Sequence, residues 1–399
     1  MTQAARPWLA PAVPLYRFGI ALRNLALRSG LEPVRRLAAP VVSVGNLSAG
    51  GAGKTPLVIE LARALTLRGL NVDVLSRGYC RSGKAVEKVD PLGSAERFGD
   101  EPLVIARKAG VPVYVATRRY DAGLLAEQEF EAAPKLRNVS DNEMRGSGKT
   151  TDDMRFVTGH DFSRADEAGK NEGALAPARN VHLLDDGFQH RQLYRDIDIL
   201  LLSSADLGDR LLPAGDLREP LAELRRAAVL AIPSGDRDLE RYLAEIVPID
   251  RNTEYPRWTG PVWRIRRSMQ VPAVEGPVVA FCGIARPAQF FAGLEDAGLH
   301  VASRIAFADH HRYIQHDIDC ILDAARTAQA AALVTTEKDR VRLTQFGPQL
   351  AAIAPLQTAG LRVEIEDEAA AIDWLLGRIA RPALTPSGKS SSGTAATPE

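Results

Sequence analysis

The segment that most constrains the fold reads Ser48-Ala49-Gly50-Gly51-Ala52-Gly53-Lys54-Thr55. It follows an apolar run, residues 40–44, that is typical of a buried strand, and it precedes residues 56–62, which have the spacing of an amphipathic helix. Such a strand, glycine turn and helix form a phosphate-binding loop, because glycines let backbone N–H groups turn toward phosphate oxygens and the helix N-terminus adds a positive dipole end. The residues predicted to hold nucleotide phosphates are Gly50, Gly51, Ala52, Gly53, Lys54, Thr55 and Pro56.

Within this loop, Lys54 would reach the β- and γ-phosphates, and the Thr55 hydroxyl would hold Mg²⁺. Ser48 stands where the usual pattern has its first glycine. A glycine turn without a ligand is the alternative interpretation, and the flanking strand and helix disfavour it.

Composition narrows the class of protein. The chain has 399 residues, enough for two domains, and 45% of them are hydrophobic, enough for a sizeable core. Lys plus Arg and Asp plus Glu both number 50, so net charge provides no general attraction to nucleic acid. The three cysteines, Cys80, Cys282 and Cys320, are widely spaced, which argues against a disulfide framework or a zinc site and favours a reducing compartment.

The N-terminal region, residues 1–36, predicts an amphipathic helix that begins near Leu15. No run approaches the ~20 apolar residues of a membrane span, and several prolines interrupt the pattern of a secretory signal. The side chains expected on one apolar face are Leu15, Phe18, Leu22 and Leu25, and the nearby positive charges are Arg17, Arg28, Arg35 and Arg36. Such a helix can lie in a bilayer interface or pack on the domain surface.

Short apolar strands alternate with helices along most of the chain. The predicted strands after the loop are residues 71–76, 111–115, 180–184, 196–201 and 228–232, followed by 278–283, 301–307 and 332–336. This alternation predicts an α/β fold of the P-loop NTPase type, with a doubly wound, mostly parallel sheet and a second, smaller α/β domain. Ligands of such sheets bind at the carboxyl ends of the strands.

These patterns divide the chain into segments. We expect a P-loop domain over 37–254 that contains a disordered insertion at 133–179, an extended linker at 255–270, an α/β domain at 271–381 and a flexible tail at 382–399. The insertion contains a second glycine-lysine-threonine sequence, Gly146-Ser147-Gly148-Lys149-Thr150. Because no apolar strand precedes this copy, it is not predicted to bind a nucleotide.

Carboxylates follow two of the predicted elements. Asp185 ends a strand where a Walker-B carboxylate would help hold Mg²⁺, although an Asp pair can also simply cap a turn. Asp100 and Glu101 precede a helix, which they could cap; alternatively they could face the γ-phosphate as base and metal ligand.

Three further segments are dense in polar side chains. They are Asp309-His310-His311-Arg312-Tyr313, the loop 211–220 with Arg218, and Thr335-Thr336-Glu337-Lys338-Asp339. A histidine of the first segment could orient a carboxylate, and Arg218 could fork onto a phosphate. Capped or ion-paired surface turns are the alternative for each segment.

Taken together, these motifs resemble those of the tetraacyldisaccharide 4'-kinases of the lipid A pathway, and they follow that family's order over nearly the whole chain. The matching motifs are Val44-Gly45-Asn46-Leu47 with Gly50–Pro56, Ser76-Arg77-Gly78-Tyr79, Gly99-Asp100-Glu101-Pro102, Asp185–His190, Leu212–Gly215 with Leu217–Pro220, Asp309–Tyr313 and Thr336–Asp339.

The resemblance implies ATP-dependent transfer of a phosphoryl group to the 4'-hydroxyl of a tetraacyldisaccharide 1-phosphate, giving lipid IVA. It implies that Asp100 is the catalytic base with His310 as its partner, although His311 remains open, and that Lys54 acts on the phosphates. Thr55, Glu101 and Asp185 are the expected Mg²⁺ contacts. Asp186, Gln189, His190, Arg218 and Glu219 are the expected substrate contacts.

The family is peripheral to the cytoplasmic face of the bacterial inner membrane, and its N-terminal helix takes part in the attachment. The resemblance therefore favours the interface interpretation of that helix, and we expect a monomer without a nucleic-acid partner. Two departures from the family pattern are Cys80-Arg81-Ser82, where a glycine-rich continuation is usual, and the long insertion before Asn180.

Two other functions compete with a lipid kinase. A membrane-associated ATPase switch of the partitioning type would combine a similar loop and helix, but it carries a signature lysine where this chain has Ala49. It also leaves the C-terminal region without a role. A soluble small-molecule kinase is disfavoured by the N-terminal helix.

Overall fold

The computed structural model describes residues 6–50, 53–145, 179–246 and 260–380. The strands in the described residues are β1 (Val41–Asn46), β2 (Asn71–Ser76), β3 (Glu87–Lys88), β4 (Val113–Val115), β5 (Asn180–Asp185), β6 (Ile197–Leu201), β7 (Val229–Pro233), β8 (Val262–Gln270), β9 (Pro277–Cys282), β10 (His300–Ala306), β11 (Ala332–Thr336) and β12 (Leu356–Ile365).

The helices are α1 (Val13–Arg28), α2 (Lys54–Leu67), α3 (Ala95–Phe98), α4 (Asp100–Lys108), α5 (Arg119–Arg145), α6 (Ser204–Leu207), α7 (Arg237–Ile246), α8 (Pro287–Asp296), α9 (Gln315–Thr327), α10 (Glu337–Arg342), α11 (Gly347–Ala351) and α12 (Glu368–Ile379). Two 3₁₀ helices, Pro7–Ala12 and Leu221–Arg226, complete the described elements.

The strands form one sheet in the order β10-β9-β11-β12-β8-β7-β6-β1-β5-β2-β4-β3. Neighbouring strands are parallel except for the pairs β8–β12 and β3–β4. Strand β1 lies between β5 and β6, so its carboxyl end opens at the centre of the N-terminal part of the sheet. The prediction of a mostly parallel α/β sheet is confirmed.

Helices cover both faces of this sheet, as expected for a doubly wound fold. On one face, α2, α4 and α12 bury Leu61, Leu103 and Leu375 against the strands. On the other face, α5 packs Ala126 and α7 packs Leu239. Each buried leucine contributes roughly 1.5–3 kcal/mol by leaving water.

The expectation of a linker over 255–270 is wrong from Val262 onward. Residues 262–270 form β8, which pairs parallel with β7 and antiparallel with β12 and so joins the C-terminal strands to the same sheet. Trp263 and Ile265 are buried, while Arg264 and Arg266 are exposed on the other side. This alternation is the period of a half-buried strand, obscured in the sequence by its high arginine content.

Part of the expected insertion is helical in the structure. Helix α5 continues to Arg145, so residues 133–145 extend a helix that starts before them. The rest of the expected insertion, including the second glycine-lysine-threonine sequence, lies outside the described residues, as does the expected tail.

Candidate active site

The phosphate-binding loop joins β1 to α2, as the sequence predicts. Gly53 caps the helix with φ of 87°, a conformation that suits glycine, and α2 begins at Lys54. Lys54 Nζ donates to Asn46 Oδ1 at 2.8 Å and lies 3.2 Å from Asp186 Oδ1. Thr55 is buried directly after it. The lysine is therefore held at the carboxyl ends of β1 and β5.

The pKa values of two consecutive carboxylates at the end of β5, Asp185 and Asp186, are shifted in opposite directions. Burial and the nearby charges of Glu101 and Asp186 raise the pKa of Asp185 to about 7. One oxygen of Asp185, Oδ1, is buried without a hydrogen-bond partner among the described residues. Although burial alone would raise the pKa of Asp186, the charges of Lys54 and Arg218 hold it at about 2.

Asp100 is brought against His310 from the other end of the chain. Asp100 starts α4, and its Oδ2 lies 3.0 Å from His310 Nδ1. His311 points elsewhere, with its Nε2 2.8 Å from Asp317 Oδ2. The structure thus pairs Asp100 with His310, a question that the sequence leaves open.

This dyad is strongly charged. Burial would raise the pKa of Asp100, but the hydrogen bond to His310 and the charges of Lys338 and Arg342 hold it at about 2. Asp100 in turn raises the pKa of His310. The neighbouring Glu101 accepts a hydrogen bond from Lys338 Nζ through its Oε1, at 2.5 Å. Asp100 is therefore ionised at neutral pH.

Arg342 is part of this site, although sequence reasoning overlooked it. Its side chain is 8% exposed, and its Nη2 lies 3.0 Å from Asp100 Oδ2 while Nη1 lies 3.2 Å from Asp339 Oδ1. Asp339 is fully buried and also accepts from Gly283 N and Tyr313 Oη. The available signal was spacing, because Arg342 follows Asp339 by three residues on one face of a short helix.

The predicted substrate contacts divide into two groups. Arg218 Nη1 donates to Asp186 Oδ2 at 3.0 Å, and Gln189 Nε2 donates to the Asn46 carbonyl at 2.8 Å, so both side chains border the loop. Glu219 is instead buried in ion pairs with Arg226 and with Arg23 of α1.

His190 lies in a cationic environment. Burial and the charges of Arg119, Arg195 and Arg77 lower the pKa of His190 to about 3, so it is neutral at physiological pH. Arg119 is itself buried and leaves its Nε without a hydrogen-bond partner among the described residues. This arrangement has the chemistry of an anion-binding surface.

Helix α1 rests on the active-site loops by its polar side. Tyr16 Oη donates to the Arg218 carbonyl at 3.0 Å, and Arg23 pairs with Glu219. The opposite side of α1 exposes Leu15, Phe18, Leu22 and Leu25, and Trp8 is exposed in the 3₁₀ helix that precedes α1; these five side chains are called here the α1 patch. Among the described helices, none combines the length and apolar character needed to cross a bilayer.

Comparison with known proteins assigns the chain to a family. The model of the tetraacyldisaccharide-1-P 4'-kinase family matches residues 5–380. The chain belongs to this family. A tetraacyldisaccharide 4'-kinase from Koribacter versatilis is 36% identical over 93% of this chain and 98% of its own length. One from Geobacter metallireducens is 33% identical over 88% and 92%.

A solved structure of the kinase family has the same architecture. The crystal structure of LpxK from Aquifex aeolicus in complex with ATP has a TM-score of 0.62 and 30% identity, and the match covers 94% of this chain and 99% of that chain. Members of the tetraacyldisaccharide 4'-kinase family are phosphotransferases that act on a hydroxyl. Family membership therefore excludes the partitioning-type ATPase and the soluble small-molecule kinase.

Proposed function

We propose that this kinase transfers the γ-phosphoryl group of ATP through a site built from Lys54, Asp100 and His310. The observation that carries the proposal is the contact of 3.0 Å between His310 and Asp100, two residues that are 210 positions apart. Glu101, the neighbour of Asp100, and Lys54 both influence the pKa of Asp185, which relates the dyad to the lysine of the loop. The bound ATP of the Aquifex aeolicus relative supports the choice of donor.

In the proposed step, the 4'-hydroxyl oxygen of the acceptor attacks the γ-phosphorus in line. A bond forms between that oxygen and phosphorus, and the bond from phosphorus to the β,γ-bridging oxygen breaks. ADP leaves with the electron pair, and the hydroxyl proton passes to Asp100. His310 orients the carboxylate, and Lys54 neutralises charge on the phosphates.

The low pKa of Asp100 is compatible with this role. A carboxylate with pKa about 2 is a weak base, but it is ionised over the whole neutral range and accepts a hydrogen bond from the hydroxyl. A loose phosphoryl-transfer transition state requires little proton removal before phosphorus and oxygen bond. Positioning of the hydroxyl is therefore the larger part of its proposed contribution.

The residues present fit a Mg²⁺ ion. Among the described residues, no three His, Cys, Asp or Glu side chains form a metal group by themselves. Mg²⁺ commonly needs only one or two carboxylates together with phosphate oxygens and water. We propose Asp185 Oδ1, which has no hydrogen-bond partner among the described residues, as such a ligand, with Thr55 and Glu101 as its companions. When bound, the ion would neutralise charge on the β- and γ-phosphates.

For the acceptor, we propose contacts from Asp186, Gln189, His190 and Arg218 to the disaccharide or its phosphate. The neutral His190 beside Arg119 supports anion binding on this side of the loop. Glu219 would act on the acceptor only indirectly, because it joins α1 to the loop that carries Arg218.

We further propose that the α1 patch enters the cytoplasmic face of the inner membrane. The exposed, aligned apolar side chains of α1 support this, and Tyr16 links the same helix to the Arg218 loop. The acyl chains of the substrate could then stay in the bilayer while the sugar reaches the site.

The test is transfer of labelled γ-phosphate from ATP to a tetraacyldisaccharide 1-phosphate in detergent micelles. Wild-type protein should label the acceptor at the 4'-position, and a Lys54→Met variant should not, since the lysine charge is lost. Failure of folded, ATP-binding protein to label the acceptor would refute the proposal.

A further inference from the structure

Two arginines from the C-terminal half of the chain lie over the phosphate-binding loop. Gly50 has φ of 107°, and a Cβ atom added there would lie 3.7 Å from both Nε and Nη2 of Arg286. A Cβ atom added to Gly53 would lie 3.4 Å from Arg267 Nε. Arg286 directly precedes α8, and Arg267 lies near the middle of β8. The sequence motifs of the loop contain neither residue.

The two guanidinium groups are a concentration of positive charge. Arg286 has no hydrogen bond and no ion pair with any of the described residues, although its charge opposes the rise that burial causes in the pKa of the nearby Asp216. Desolvation of the Arg267 guanidinium by the surrounding protein lowers its pKa, and the charge of Arg286 lowers it further. Like charges held together beside backbone N–H groups are stabilised by a bound anion.

Arg286 lies on a turn that connects the Asp100–His310 dyad with the phosphate-binding loop. It ends the turn 283–286, which follows β9. At the start of this turn, the Gly283 carbonyl accepts from His310 N at 3.1 Å and from Arg342 Nη1 at 3.0 Å. The turn therefore extends from the dyad to the loop. In the proposed reaction, the phosphoryl group passes from the nucleotide at the loop to the hydroxyl at the dyad, and the turn spans the distance between them.

We propose that Arg286 binds the terminal phosphate of the nucleotide, and that Arg267 is a second cation on the same polyphosphate. This inference rests on the proposed function, because it assigns residues to the proposed nucleotide site. A guanidinium forks onto two phosphate oxygens, and during transfer Arg286 would stabilise the negative charge that develops on the γ-phosphoryl and bridging oxygens. The bonds made and broken are those already described.

The experiment compares ATP and ADP binding by calorimetry for Arg286→Gln and Arg286→Lys in the full chain with Mg²⁺. Arg286→Gln should weaken ATP binding at least ~10-fold and leave ADP binding within about 2-fold, since ADP lacks the terminal phosphate. Its kcat should fall by ~10³-fold, as for other arginines that act on a transferred phosphoryl group. Arg286→Lys should give intermediate values, because a lysine keeps the charge without the fork.

Matched controls come from arginines of the same elements or neighbours. Arg304→Gln removes an ion pair between β10 and Glu295, and Arg264→Gln removes one between β8 and Glu240. Neither should change nucleotide binding. Arg267→Gln, by contrast, should weaken the binding of ATP and ADP together, because Arg267 lies over Gly53, at the start of α2, whereas Arg286 lies over Gly50.

Three results would overturn the assignment. They are unchanged ATP affinity and kcat in Arg286→Gln, equal weakening of ATP and ADP by that variant, and equal effects from Arg304→Gln. If the melting temperature of Arg286→Gln differs from that of the wild type, the ATP affinity, ADP affinity and kcat of Arg286→Lys test the assignment instead. Because binding of nucleotide needs no lipid, these outcomes are separate from a failure of transfer to the acceptor.

Discussion

Asp100 is held by three cationic side chains, His310, Lys338 and Arg342, and it is nearly inaccessible to solvent. Replacing it by Ala removes the carboxylate that positions the hydroxyl. We expect kcat to fall by roughly 10²–10⁴-fold with ATP affinity within about 2-fold of wild type. Steady-state kinetics and calorimetry measure the two quantities. Full activity in Asp100→Ala would remove Asp100 from the proposed role, and Asp319→Asn, at an exposed position of α9, serves as the control.

Arg342 contacts no predicted substrate group, and its expected effect on turnover passes through Asp100. Arg342→Gln should lower kcat by about 10-fold or more with KM for ATP unchanged, since it loosens the carboxylate and not the nucleotide. Arg342→Lys should recover part of the loss.

A double-mutant cycle tests this route. In an Asp100→Ala background, Arg342→Gln should cause no further loss, because the group it positions is gone. The control is Arg340→Gln on the exposed side of the same helix. Independent losses in the double variant would show that Arg342 acts in another way.

Helix α1 presents Leu15, Phe18, Leu22 and Leu25 to solvent and turns Tyr16 and Arg23 toward the protein, unlike an ordinary surface helix. Phe18→Glu or Leu22→Glu should weaken binding to phosphatidylethanolamine–phosphatidylglycerol vesicles by about 10-fold or more, because each buried side chain contributes roughly 1.5–3 kcal/mol. Vesicle co-sedimentation measures the effect.

The matched control for α1 is Leu92→Glu, which changes another highly exposed leucine far from the helix in sequence. It should leave vesicle binding intact. Activity on acceptor in detergent micelles should survive the α1 variants better than activity on vesicles. Equal vesicle binding by all three variants would contradict membrane insertion of the α1 patch.

The sheet contains a buried charged pair away from the active site. His182 of β5 and Asp73 of β2 lie opposite each other, with Nδ1 2.8 Å from Asp73 Oδ2, and Glu127 of α5 approaches the other ring nitrogen. Burial alone would lower the pKa of His182, but these two carboxylates raise it to about 9. The protonated histidine therefore links β2, β5 and α5.

This pair makes stability depend on pH. Because the folded pKa of about 9 lies above the ordinary 6.5, the contribution is complete below pH 6.5 and is lost as pH rises through 9. Wild type should exceed His182→Gln in free energy of unfolding at pH 6, and urea titrations should show this gap narrowing by pH 9.5. A gap independent of pH would refute the charge on His182.

Local patterns in the sequence were enough to predict the loop from Ser48 to Thr55 and the strands that flank it. They were also enough to identify Asp100 and the His310-His311 pair as candidates. Alternation and glycine spacing act over a few residues, and backbone geometry turns them directly into strands and turns. The prediction of a linker failed over residues 262–270 because pairing, rather than local pattern, makes β8 a central strand.

Tertiary structure decided which residues meet. In the folded chain, Asp100 contacts His310 and not His311, and Arg342 lies against the same carboxylate. Arg286 lies over Gly50, and Glu219 forms an ion pair with Arg23 of α1. These contacts join parts of the chain as far apart as Asp100 and Arg342, 242 positions along the sequence, and they follow from the order of strands in the sheet. Strand order depends on the packing of the whole core, which no short segment of sequence contains.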